Sequence, residues 1–291
     1  VTSFLYNHGA NVTTLHEYTT DPRNEGGPSP ATAPIGEGDA GDDLGGPTDA
    51  ARFFMRVELT APSPEALAAT FEDAFDRVVA QRYAMRWRLS RASHRKRVAV
   101  LASKQDHALL ELLWRHRRGE LHCDLTQVIA NHPDHEGAVR ELGVPYHHVP
   151  VTPATREAAE ARILELLGDD TELVVLARYM QILSPAFVAR YPNRIINIHH
   201  SFLPAFVGAR PYHQAYDRGV KIIGATAHYV TDILDDGPII EQDVVRVSHR
   251  ETPKDLIRIG RSIEREVLAR AVRYHLDDRV IVHGRKTVVF T

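Results

Sequence analysis

The chain has 291 residues, 43% of them hydrophobic and 25% charged, with a formal net charge of -3 at pH 7. That length can bury one large core or two moderate ones, and the near-neutral balance offers no general field for nucleic acid or an anionic membrane surface. A single cysteine, Cys123, cannot close an internal disulfide, no apolar run reaches the length of a membrane span, and residues 1–12 have no signal-peptide layout. The expectation is a cytoplasmic protein without nucleic-acid or membrane partners. Of the 17 histidines only His132 and His135 approach a ligand spacing, and Pro133 lies between them, so no metal site is expected.

In chain order, residues 11–20 and 52–59 read as strands, residues 63–79 as a helix capped by Ser63 with Pro64 behind it, and residues 83–89 as a further strand. Residues 21–50 are rich in Gly, Pro, Asp, Ala and Thr and nearly empty of large apolar side chains. They cannot bury enough surface to offset their ordering entropy, and a disordered surface insertion is expected. Residues 91–97 (RASHRKR) form a basic linker into residues 98–102, a continuous apolar run of the kind found in strands buried on both faces. Beyond it, helices at 106–117, 134–142 and 154–167 alternate with strands at 124–130, 147–149, 173–177 and 194–199, the pattern of a doubly wound parallel sheet. Two strands at 221–230 and 238–247 follow. A helix then runs from the N-cap Thr252, with Pro253 behind it, to about residue 275. Strands at 279–283 and 287–290 close the chain as an edge hairpin around a His-Gly-Arg turn.

Asn197 and His199 lie two apart on the strand at 194–199, so they share a face at its carboxyl end, where open α/β sheets place ligands. An amide beside an imidazole can polarise a carbonyl and move protons. Asp235, on a loop held between two strands, is the anionic partner that such a pair lacks. Spacing alone favours the plainer reading, in which these are satisfied core polar groups and an ordinary Asp-Asp-Gly turn.

Residues 197–206 (NIHHSFLPAF), 208–230 (GARPYHQAYDRGVKIIGATAHYV) and 234–244 (LDDGPIIEQDV) resemble the formyltetrahydrofolate deformylases, the hydrolase branch of the 10-formyltetrahydrofolate-dependent formyltransferase family. The resemblance covers most of the chain from about residue 95. It implies an α/β, Rossmann-like catalytic domain over residues 95–291 that hydrolyses 10-formyltetrahydrofolate to formate and tetrahydrofolate. No cofactor is implied beyond the folate substrate, and the role is to adjust the one-carbon pool and supply formate for purine synthesis. Asn197, His199 and Asp235 match the catalytic positions, as oxyanion donor, electrostatic partner and base. Met180, Gln181, Ile182, Leu183 and Leu234 match positions that hold the folate, with Gln181 standing where many relatives have Arg. Lys104 is a candidate for the acceptor side, and Arg210, His213 and His228 lie in the matching segments as candidates to close the acceptor side or hold the folate tail, although His228 reads equally well as a core histidine.

Residues 102–107 (ASKQDH) contain no glycine, whereas the glycinamide ribonucleotide transferases carry a Gly-rich phosphate loop there. A loop of bulky side chains is a poor phosphate nest, which leaves water as the natural nucleophile. Residues 1–90 resemble the later part of an ACT domain, an α+β ferredoxin-like module that binds small amino-acid effectors and associates through its sheets. Residues 1–9 match only the tail of that domain's first helix, so the chain as given reads as amino-terminally incomplete there, and a homo-oligomer is expected. The competing expectations are a true formyltransferase and a non-catalytic folate or effector sensor.

Overall fold

The computed structural model describes residues 1–20, 52–61, 71–205 and 211–291. The expected insertion at 21–50, the first part of the helix expected at 63–79, and Arg210 lie outside the described residues. The chain divides into two compact units, Val1–Arg91 and Ala92–Val289.

In the first unit, helix α1 (Thr2–Asn7) precedes an antiparallel pair, β1 (Asn11–Thr19) and β2 (Phe53–Thr60). Residues 71–75 are helical and run into a π-turn at Asp76–Ala80 and a 3-10 turn at Gln81–Tyr83. Phe4, Leu5, Phe71, Phe75 and Val79 form a small core against which Val57 and Leu59 of β2 pack. The strand expected at 83–89 is not present. Its alternation is real, because Met85 and Trp87 both turn onto this core. Trp87 Nε1 donates to Asp76 across 3.3 Å. The periodicity thus reports side-chain anchoring and not a sheet ladder.

The second unit is a seven-stranded sheet in the order β5-β4-β3-β6-β7-β8-β9. Its strands are β3 (Lys96–Ala102), β4 (Cys123–Ala130), β5 (Tyr146–His148), β6 (Leu173–Ala177), β7 (Ile195–His199), β8 (Ile222–Tyr229) and β9 (Ile239–Arg246). Between them lie α2 (His107–Arg117), α3 (Glu136–Glu141), α4 (Arg156–Leu167), α5 (Pro185–Arg190) and α6 (Pro211–Asp217), with α7 (Pro253–Leu276) after β9. β3 to β7 pair in parallel, as expected, but β8 and β9 are antiparallel. A connection as short as residues 230–238 cannot make the crossover that a parallel pair requires, so it returns as a hairpin.

Helices cover both faces, which is why β6 is apolar at every position and β3 from Val98 onward. Val98, Val100 and Ala102 of β3 face Leu109 and Leu113 of α2 and Val267, Leu268 and Ala271 of α7. Ala99 and Leu101 face Ile163 and Leu167 of α4 and Phe187 of α5. The final hairpin, β10 (Val280–His283) with β11 (Lys286–Val289), forms its own two-stranded sheet, tied to β9 where Thr287 Oγ1 donates to the Ile239 carbonyl at 2.5 Å. No described helix is long and apolar enough to cross a membrane. After β3 the chain builds outward through β4 and β5, then returns to β6 on the other side of β3. That reversal makes a crevice at the carboxyl ends of β3 and β6, the position where open α/β sheets hold ligands.

Candidate active site

β7 carries Asn197 and His199 to its carboxyl end, and the register with β8 sets their surroundings. Asn197 pairs with His228 and His199 with Thr226 across the antiparallel ladder. The amide nitrogen of Asn197 lies 3.2 Å from His228 Nε2. His228 Nδ1 donates to the Tyr229 carbonyl at 2.8 Å, so Nε2 presents its lone pair to the Asn197 N–H. His228 is therefore a member of the site as well as a core residue, a role that only the β7–β8 register reveals.

Asp235 reaches the same point from the β8–β9 loop. Its Oδ2 lies 3.2 Å from His199 Nδ1 and its Oδ1 3.7 Å from His228 Nε2. The other ring nitrogen of His199 donates to Ser201 Oγ at 2.8 Å, because the Ser201 hydroxyl is committed to the Ala205 carbonyl at 2.7 Å. Both nitrogens of this ring, which is 4% exposed, thus face acceptors, the hydrogen-bonding pattern of an imidazolium. Burial opposes ionisation of Asp235, yet the hydrogen bond from His199 overcomes it and holds the carboxyl well below the usual carboxylate range.

Local backbone features aim these groups. Asp235 has φ 55°, a left-handed conformation that Asp tolerates better than most residues. Gly237 lies against the Tyr229 carbonyl so closely that a Cβ would collide with its oxygen. Thr226 Oγ1 donates to the Ser201 carbonyl at 2.9 Å and accepts from Leu203 N at 3.0 Å, fixing the turn beyond His199 to β8.

The turn after β6 holds two non-glycine residues in the left-handed region, Arg178 at φ 60° and Met180 at φ 61°. Met180 is 60% exposed, Ile182 56% and Leu234, beside Asp235, 54%, so three large apolar side chains stay open to solvent at the strand ends. Gln181 is exposed. Leu183 is buried with Tyr179 and Phe187 and packs the core instead of lining a surface.

A cavity of about 290 Å³ opens next to this cluster, lined by His107, Arg178, His200, Tyr212, Arg261 and Glu264 among others. Of the acceptor-side candidates, His213 lines it; Lys104 is exposed and does not. His107, Tyr212, Arg261 and Glu264 went unnoticed in the sequence because nothing local links His107 to Glu264, 157 positions apart. Among the described residues no three His, Cys, Asp or Glu side chains converge to hold a metal.

This fold and this cluster define a class, and a family model described as formyl transferase matches residues 96–272. The formyltetrahydrofolate deformylase of Bacillus subtilis (strain 168) is 48% identical over 100% of this chain and 88% of its own length. A crystal structure of a formyltetrahydrofolate deformylase from Pseudomonas syringae pv. tomato superposes with a TM-score of 0.86 at 44% identity, covering 100% of this chain and 88% of that one. A glycinamide ribonucleotide transformylase from Symbiobacterium toebii matches at a TM-score of 0.65 and 33% identity, over 70% of this chain and 99% of its own. The chain belongs to the formyltetrahydrofolate deformylases within the formyl transferase family.

Proposed function

We propose that the chain hydrolyses 10-formyltetrahydrofolate, water attacking the formyl carbon to give formate and tetrahydrofolate, with Asn197, His199 and Asp235 carrying the chemistry. The observation that supports these roles is their convergence: Asn197 and His199 come from one strand, the carboxylate of Asp235 lies 3.2 Å from the buried His199 ring, and the Asn197 amide is held 3.2 Å from His228 on the facing strand.

Hydrolysis of an N-aryl formamide must stabilise an oxyanion, deprotonate water and protonate the leaving nitrogen. Asn197, half-buried, presents its amide N–H groups toward the developing oxyanion. His199 supplies positive charge to the same oxygen. A carboxyl held as low as that of Asp235 is a weak base on its own. As negative charge develops on the oxyanion, however, it offsets the His199 charge that depresses Asp235, and the affinity of Asp235 for a proton from water rises. The two groups therefore act as a coupled pair, and the proton gained can return to the leaving nitrogen as the carbon–nitrogen bond breaks.

The exposed apolar side chains of Met180, Ile182 and Leu234 offer a slot for the flat pterin, with backbone groups of the turn after β6 at its edge. No cofactor beyond the folate enters this scheme. Residues 1–91 are read as an ACT-like regulatory unit for small amino-acid effectors and for self-association, supported by the β1–β2 pair packed on helical residues.

The test is formate release from 10-formyltetrahydrofolate with no acceptor added, comparing the chain with Asp235→Asn. A fall of about 10² or more in kcat is expected, the scale of a lost general base. Equal rates would remove Asp235 from the mechanism, and formyl transfer to an added amine in place of hydrolysis would overturn the assignment.

A further inference from the structure

The cavity beside the catalytic cluster is built by the same strand ends but is not used by the scheme above. Its walls are His107 after β3, Arg178 after β6 and His200 after β7, with Tyr212 from α6 and Arg261 and Glu264 from α7. It therefore lies in the crevice where the sheet reverses its winding.

Its charge is uneven. Glu264 is 1% exposed and its carboxylate is satisfied within the wall, accepting from the Tyr212 hydroxyl at 2.6 Å and from His107 Nε2 at 2.7 Å, with Arg178 Nε at 3.5 Å. Burial opposes its ionisation, and the His107 hydrogen bond and Arg178 charge overcome this and hold it below the usual range. Two guanidinium groups thus face one carboxylate already committed to its partners, and the lining has surplus positive charge. Three buried nitrogens there have no hydrogen-bond partner among the described residues: His107 Nδ1, on a side chain 8% exposed, and Arg178 Nε and Nη1. Buried polar groups left unpaired are costly, and the structure keeps three together in one cationic pocket.

The reaction supplies an anion of matching chemistry. Formate is planar, with two oxygens that suit the paired N–H groups of a guanidinium. It forms beside the carboxylate of Asp235, which repels it. The cavity begins next to that point, the ring of His200 standing 5.3 Å from that of His199. We propose that the cavity is a small-carboxylate subsite that receives formate as it leaves the catalytic cluster, anchored by the guanidinium of Arg178. This assignment of the ligand rests on the hydrolytic reading above.

The test is a titration of carbon-13 formate into the full chain without folate, read by line broadening of the formate carbon. Saturable broadening is expected, with the dissociation constant raised at least about tenfold in Arg178→Met and less in Arg178→Lys, as for loss of a charged hydrogen-bonding group. Absence of saturation, or an unchanged constant in Arg178→Met, overturns the proposal. Circular dichroism checks the fold of each variant. If Arg178→Met does not fold, Arg261→Gln at the exposed side of the cavity takes its place, with a smaller weakening expected and no weakening counting against the subsite. Because formate binding is measured apart from turnover, binding without hydrolysis would sink only the functional reading, and hydrolysis without binding only the subsite.

Discussion

Gly237 shows how much of the site depends on a missing side chain. Its backbone lies on the Tyr229 carbonyl, two residues from the carboxylate that must meet His199. Gly237→Ala forces the loop away from β8, and a displacement on the order of 1 Å at a catalytic group costs about 10²-fold in rate. The expected result is that loss in kcat with a lowered melting temperature, measured by formate release and thermal unfolding; unchanged values in both would show that the loop is not aimed by this contact. Asn197→Ala is expected to cost about 10² to 10³ in kcat, the range for one oxyanion donor, with a melting temperature near that of the parent. At this scale strand alternation put Asn197 and His199 on one face, but spacing alone favoured core polar groups and an ordinary turn, and the family motifs singled out these two with Asp235. His228 stood in the sequence as a candidate and equally as a core histidine. Its pairing with Asn197 comes from the antiparallel register, which a shift of one residue would undo.

Elements with strong local chemistry were read correctly. α7 begins with a capping box in which Thr252 accepts from Asp255 N at 3.3 Å and Asp255 accepts from Thr252 N at 3.1 Å, with Pro253 in the first turn. Replacing Thr252 by Ala removes that cap and is expected to destabilise the protein by about 1 kcal/mol, seen as a shift of the denaturant midpoint at constant slope. α5 and α6 were not expected as helices. With 6 and 7 residues each they make fewer than two turns, too few for a 3.6-residue period to show. The stretch 83–89 failed for the opposite reason: its period of two was visible, but pairing needs a neighbour, and alternation alone does not say whether one is there. α6 matters to function, because Tyr212 on it closes the Glu264 network. Gly260 on α7 makes room for the Tyr212 ring, where any Cβ would strike the hydroxyl.

For the whole molecule, the buried charges predict a one-sided response to pH. Asp235 and Glu264 have carboxyls depressed in the native state, so each contributes stability that is present above the ordinary carboxylate value of about 4 and is lost as pH falls toward the depressed value. Burial, reinforced by the Arg178 charge, pushes His200 down to about 3. The unfolded chain protonates that histidine near its usual value of about 6.5, so lowering pH below that point also favours unfolding. All three act in the same direction. Thermal unfolding followed from pH 7 downward is expected to weaken steadily, more steeply below about pH 4. Glu264→Gln is expected to lower stability at neutral pH by about 3–5 kcal/mol and to flatten the acid limb. A parallel acid limb in that variant would remove Glu264 from the account.

The sequence by itself determined the alternating α/β plan, the apolar central strands, the capped final helix and the shared face of Asn197 and His199. Each rests on interactions between residues close in the chain, or on a hydrophobic period that local steric rules translate directly into structure. The tertiary structure alone decided the antiparallel β8–β9 end of the sheet, the entry of His228 into the site, and the cationic cavity in which His107, Arg178, Tyr212 and Glu264 meet. Those features are pairings across the fold, from residue 107 to residue 264. Only burial makes such pairings specific, because a charge or hydrogen bond that water would screen at the surface becomes a strict requirement once water is excluded.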